Sequence, residues 1–148
     1  MTSLEIMREA WQGKPLAGGT LTPWPGTEGG PNLMLGAWRN KRWIVYSAER
    51  CAGWIASGLY SQPEELEKGV QFYRDAGGKR AVLSNVIVDL QGNVAEMPLG
   101  GRATVMATGS AAEALDRLKR IRAVGFDDVL CMVRPEGLDD LARLRDQL

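Results

Sequence analysis

Four consecutive residues, Gly36-Ala37-Trp38-Arg39, carry the pattern best suited to holding a ligand in this 148-residue chain. A glycine lets backbone approach a bound group closely. Arg39, Lys41 and Arg42 follow where a helix would expose its first N–H groups. That combination suits a phosphate, and it equally suits a tight turn whose cations are merely solvated. Arg134 has the same two readings, an anion ligand at the end of a strand or a surface partner of Glu136 or Asp139. Trp38 and Trp54 could each stack on a planar ring, and Trp54, inside an apolar run, also reads as core. Ser57 would form the floor of a site bordered by Gly36, Ala37, Trp38, Arg39 and Arg134.

Other chemistries are excluded by composition. The chain has no histidine, which removes the usual acid/base at neutral pH, the commonest metal ligand and any Ser-His or Cys-His nucleophile. Cys51 and Cys131 are far apart in apolar periodic segments and read as buried thiols in a reducing compartment, so no metal is expected. Asp127-Asp128 precedes a strand, at the face opposite the expected site, and reads as capping or solvated carboxylates.

The elements that must position these residues follow from periodicity and punctuation. Ser3 to Gln12 reads as a helix with Leu4, Met7 and Trp11 on one face, and Gly13 to Gly30 as a Gly/Pro-rich loop with at most a short extended piece at Thr20–Thr22. Strands are expected at Leu33–Gly36, Trp54–Ser57, Val82–Asp89 and Val129–Val133. Helices are expected from about Arg39 to Cys51, after the capping-box spacing Ser61-Gln-Pro-Glu64, after the second box Ser110-Ala-Ala-Glu113, and from Leu138 onward. Alternating strands and helices predict an α/β fold with a parallel sheet. The region 81–107, with a turn at Gln91-Gly-Asn93 and a returning arm from Val94 to Ala107 interrupted at Pro98 and Gly100-Gly101, admits an antiparallel hairpin or an irregular excursion.

The order of these motifs resembles the middle and end of the luciferase-like monooxygenase family. The resemblance rests on Pro31, Leu33, Leu35, Gly36, Ala37, Ala48, Gly53 and Trp54, on the preceding helix with Trp11 and Gly13, and on the tail from Gly109-Ser110 through Gly125-Phe126-Asp127. The family usually has an aspartate before its Gly-Trp, where this chain has Ala52. The resemblance implies a single domain, 1–148, built as half of a (β/α)8 barrel with about four parallel strands and outer helices. It also implies a phosphate-bearing FMN or deazaflavin at the C-terminal ends of the strands. On this reading the chain is a truncated or partner-dependent relative of such oxidoreductases. The alternative is a non-catalytic binding or interaction module on the same scaffold.

Lys plus Arg and Asp plus Glu are both 18, so the charge balance argues against a nucleic-acid or acidic-membrane partner. No apolar run is long enough to span a bilayer, which with the thiols makes a cytoplasmic location the default expectation. Half a barrel leaves two sheet edges and an inner face uncovered. The expected partner is therefore a second copy of the chain, a homodimer, or else a separate chain supplying an N-terminal half-barrel, the alternative being that the 81–107 excursion folds over the opening within one chain.

Overall fold

In the computed structural model, which describes residues 3–22, 25–26, 29–94 and 102–148, the chain divides into two compact units, Met1–Leu33 and Met34–Leu148. The first contains helix α1, Ser3–Trp11, and a tight turn in which Leu16 and Gly19 exchange backbone hydrogen bonds at 3.0 Å. No strand forms at Thr20–Thr22. Gly30 has φ of 83°, and a Cβ there would lie 2.5 Å from the Trp11 ring, so only glycine fits beneath that indole.

The second unit holds the sheet and four helices. In chain order these are β1 (Met34–Gly36), α2 (Lys41–Arg50), β2 (Gly53–Ser57), α3 (Pro63–Asp75), β3 (Ala81–Asp89), β4 (Met106–Thr108), α4 (Ala111–Val124), β5 (Asp128–Met132) and α5 (Leu138–Arg145), the last preceded by a 3-10 turn at Pro135–Gly137. Every strand pair is parallel. The four expected strands lie in the expected order, β1-β2-β3-β5. Capping explains two helix starts. Ser110 and Glu113 form the anticipated capping box, but α3 is capped one residue later than the sequence suggests, by Gln62 with Glu65. Ser61 is freed for another contact, described below.

All four helices pack on one face of this sheet. Its side chains there, Trp54, Ala56, Leu83, Val86 and Val88, share a core with Ile44, Tyr73, Leu118 and Leu144 from the helices. Strand alternation sends Ile55, Val82, Ile87, Leu130 and Met132 to the other face. Val82 and Ile87 are buried, Ile55 and Met132 are partly exposed, and Leu130 is 54% exposed. One-sided helices on a parallel sheet make the wall of a barrel, and four such βα units make half of one. Among the described residues β1 pairs only with β2, and β5 only with β3. The wall thus ends in two open edges.

The region 81–107 departs from the hairpin reading. β3 is a nine-residue strand, and β4 pairs with it in parallel, Ile87 to Met106, Val88 to Ala107 and Asp89 to Thr108. Ile87 also pairs with Met132 of β5. β4 therefore lies on the edge of β3 that β2 vacates after Ser57. The chain reaches it across the end of β2, where Leu59 and Ala103 form an antiparallel bridge and Thr104 N–H donates to the Gly58 carbonyl at 2.9 Å. The expected interruptions of the returning arm at Pro98 and Gly100-Gly101 lie outside the described residues.

At the opposite, N-terminal end of the sheet, Asp127 accepts from Ala81 N–H and from Arg74, both at 2.7 Å, and Arg74 also donates to the Gly125 carbonyl. Arg80 pairs with Asp128 at 2.8 Å. Both carboxylates clamp the fold through ion pairs in place of the capping or solvated role expected, Asp127 just before β5 and Asp128 as its first residue. Burial alone would raise the Asp127 pKa. The hydrogen bonds from Ala81 and Arg74, with the charges of Arg74 and Arg80, outweigh it and hold the carboxyl below its ordinary 3.8. A depressed folded value means that the contribution is complete above roughly pH 4 and is lost as the pH falls through the folded value. Asp127→Ala should destabilise the fold by about 1–3 kcal/mol at neutral pH, because the buried Ala81 N–H loses its acceptor. Urea unfolding at pH 7 and pH 3 checks both parts, and the gap between variant and wild type should narrow at the lower pH.

Candidate functional site at the C-terminal ends of the first strands

Ligands in parallel βα folds meet the loops at the C-terminal ends of the strands. At the end of β1, Ala37 is buried, its N–H bonded to the Ile55 carbonyl at 3.2 Å and its carbonyl accepting from the Trp54 indole at 2.8 Å. This tie holds Trp38 and Arg39 at the mouth. Trp38 is 48% exposed, and its indole N–H donates to Ser61 Oγ at 2.7 Å, which fixes the plane of the ring. Tyr60, from the loop after β2, is 47% exposed, its ring centroid 6.2 Å from that of Trp38. The Arg39 guanidinium lies over the Trp38 ring at 4.1 Å, donates to the Tyr60 carbonyl and pairs with Glu65 at 3.2 Å. Two exposed aromatic rings and a stacked cation form one platform.

Behind the platform, Ser57 Oγ accepts from Leu59 N–H at 3.1 Å and from the Asn85 amide at 3.2 Å. Asn85 interrupts β3, where the register with β5 shifts between Leu83 and Val86. Gly58 permits the close approach of β2 to this bulge, since a Cβ there would lie 2.9 Å from the Asn85 carbonyl. Arg39, Tyr60 and Asn85 are the three non-glycine residues with positive φ among the described residues, at 55°, 57° and 59°. Such conformations cost on the order of 1–3 kcal/mol each and gather where function over-determines the backbone. All three border this mouth.

Of the residues expected from sequence, Gly36, Ala37, Trp38, Arg39 and Ser57 are brought to this end of the sheet. Gly36 faces open space, so nothing nearby demands a glycine there. Trp54 is core, 2% exposed against Tyr73 and Phe126. Arg134 follows β5, with β2 and β3 between it and β1. Three strand spacings of about 4.8 Å put about 14 Å between those two strands, so Arg134 belongs to a different part of the mouth. There it pairs with Glu136 at 3.5 Å. Sequence reasoning missed Tyr60, Ser61 and Asn85. An asparagine inside a β-branched run is the one visible signal of the bulge. Cys51 and Cys131 form no disulfide and are half-buried, not fully buried as expected, and burial pushes Cys131 upward, away from reactivity. Among the described residues no group of three or more His, Cys, Asp or Glu could hold a metal, and no helix is long and apolar enough to cross a membrane.

No family model matches the chain, and no curated protein matches it. Solved structures do. A monooxygenase, RslO1 from Streptomyces bottropensis, superposes with a TM-score of 0.68 at 15% identity, over 96% of this chain and 56% of that one. An F420-dependent secondary alcohol dehydrogenase in complex with an F420-acetone adduct superposes with a TM-score of 0.59 at 9% identity, over 88% of this chain and 54% of that one. At these identities the likeness is one of fold. The chain spans about half the length of the solved chains it matches, and its fold is that of half their architecture.

Proposed function

We propose that the chain is a partner-dependent half-barrel of the luciferase-like kind, which holds a phosphate-bearing flavin or deazaflavin at the C-terminal ends of its strands once the barrel is completed. The observation that carries this reading is the exposed Trp38–Tyr60 platform, set on strained backbone at the mouth. It is supported by a fold shared with two oxidoreductases, one of them in complex with an F420-acetone adduct.

The Trp38 and Tyr60 planes are inclined at 52°, so a flat tricyclic ring would stack on one of them with the other against its edge, and a phosphate would be met by Arg39 once its guanidinium turns from Glu65. When bound, such a cofactor supplies hydride or electron transfer. The residues of this chain orient the ring, exclude water from one side of it and neutralise its phosphate. Completion of the barrel comes from a second copy. A two-fold axis parallel to the strands keeps all strands in one direction and sets β5 of one protomer beside β1 of the other. The β5 edge is flanked by a mainly apolar groove of about 550 Å³, in which Leu118, Leu130 and Leu141 lie with the charged Arg122 and Arg145, and which the second copy would fill.

A second reading, a non-catalytic interaction module, is favoured by one observation. Arg39 is already satisfied by Glu65 and the Tyr60 carbonyl, so it braces the loop without any ligand. Titrating the purified protein with FMN and with a deazaflavin, read by quenching of tryptophan fluorescence, decides between the two. Saturable quenching is expected, weakened about 5- to 10-fold in Trp38→Ala, the loss of one aromatic stack. Arg39→Ala should cost about 1.5–3 kcal/mol for a phosphorylated ligand. Absence of quenching by either compound leaves the interaction module.

A further inference from the structure

Ile55, Val82, Ile87, Leu130 and Met132 make the helix-free face of the sheet largely apolar. Ser57 and Ser84 interrupt it. They are level partners on β2 and β3, each two residues beyond an apolar side chain of that face. Asn85 joins them from the bulge, on backbone with φ of 59°. The hydrogen bonds of this trio can run in one direction only. Ser84 Oγ lies 2.8 Å from the Ala56 carbonyl, which can only accept, so the Ser84 proton is committed there. The Asn85 atom that faces Ser84 Oγ at 3.1 Å must then be the amide nitrogen, and the same nitrogen reaches Ser57 Oγ at 3.2 Å. Leu59 N–H donates to Ser57 Oγ at 3.1 Å. A hydroxyl has two lone pairs and one proton. Both lone pairs of Ser57 are taken, and its proton meets no acceptor among the described residues. Ser57 is half-buried at the C-terminal end of its strand.

We propose that Ser57 is a committed hydrogen-bond donor for a carbonyl oxygen of a planar ring lodged at the mouth. The network selects the group. It contains no charged side chain, so it offers a neutral donor to a neutral acceptor, and an ammonium would meet a hydroxyl with no lone pair left. The loop after β2 places the ring. Leu59 is held by Ser57, Ser61 by the Trp38 indole, and Tyr60 stands between them, so one short loop fixes both the donor and the aromatic platform. The inference rests on the cofactor reading for the identity of the ring. Flavins and deazaflavins carry carbonyls along one edge, and that edge turns toward Ser57 while Arg39 meets the phosphate.

Uracil, lumichrome and FMN, added in turn to the ¹⁵N-labelled chain, are the probes. They are a single ring with carbonyls, a flavin-like tricycle without phosphate, and the phosphorylated cofactor. Saturable shifts are expected in the Leu59 amide and the Asn85 side-chain amide. Affinity for lumichrome should fall about five- to tenfold in Ser57→Ala, the loss of one neutral hydrogen bond, and be largely kept in Ser57→Thr. The infrared carbonyl stretch of bound lumichrome should lie lower in wild type than in Ser57→Ala, a signature that loop packing alone does not move. Asn85→Asp puts a carboxylate oxygen in place of the donor and turns the Ser57 proton inward. It should lose the same affinity with Ser57 still present, and it carries the test if Ser57→Ala does not fold. Equal affinity and equal carbonyl stretch in wild type and variants overturn the proposal, while FMN binding in that case leaves the cofactor reading standing. Ser57-dependent binding of uracil, with none of lumichrome or FMN, upholds the donor and overturns the cofactor reading. Absence of saturable shifts with all three compounds overturns both.

Discussion

Trp54→Ala is expected to lower the unfolding free energy by about 3–5 kcal/mol, the range for removing a large buried aromatic. Trp54 is 2% exposed, with ring centroids 5.7 Å from Tyr73 of α3 and 5.9 Å from Phe126, just before β5. Its indole also donates to the Ala37 carbonyl, the backbone group that anchors the loop bearing Trp38 and Arg39. One side chain thus joins β2, α3, the approach to β5 and the aromatic platform. Against a typical domain stability of about 5–15 kcal/mol the loss is large. Urea denaturation checks it, and a loss below about 1 kcal/mol would show that the core does not depend on this ring. Trp54→Phe should cost less than alanine but still leave the Ala37 carbonyl without its donor. Gly69 belongs to the same contact, since a Cβ there would lie 2.6 Å from the Trp54 ring. The helix-propensity gain of about 1 kcal/mol for Gly69→Ala is therefore opposed by overlap.

Leu130→Arg should halve the solution mass with little effect on the folded protomer. Leu130 is 54% exposed on the helix-free face of β5, so in a single chain the change is a surface substitution, worth within about 0.5 kcal/mol. In a closed two-copy barrel the same side chain points inward, where an unpaired guanidinium is not tolerated. Wild type should then show an unfolding midpoint that rises with protein concentration, and the variant a midpoint that does not. Light scattering and melts at two concentrations measure both. Equal masses for the two proteins would show that β5 is not an interface.

The fold was legible because its signals are local. The boxes and glycine stops around α3 and α4, the four short apolar runs and their alternation with helices define parallel βα units without reference to distant contacts. The parallel course of β4 was not legible. Its direction is set by the crossing of residues 102–105 over the end of β2, a long-range event that turn signals at Gln91 to Asn93 cannot encode. The one-residue offset at the start of α3 has a similar origin. Ser61 is a sound helix cap by type, but its hydroxyl is taken by the Trp38 indole, and Gln62 serves instead.

The candidate site was legible in part for the same reason. Gly36 to Arg39 stand at the end of an apolar run, which marks a βα loop in any parallel fold. Tyr60 came into view only through the positive φ that turns its ring beside Trp38. Asp89 closes the expected strand Val82–Asp89, but that its Oδ2 meets no donor among the described residues is a property of burial. Arg134 and Arg39 look interchangeable in sequence. The sheet order places their strands about 14 Å apart and gives them different partners, Glu136 and Glu65.

The reading proposed above has the open edges of β1 and β5 completed by a second copy. Light scattering on the 148-residue chain at low micromolar concentration tests it most directly. A species of twice 16.2 kDa is expected. A monodisperse species of 16.2 kDa, unchanged as concentration rises, would contradict it.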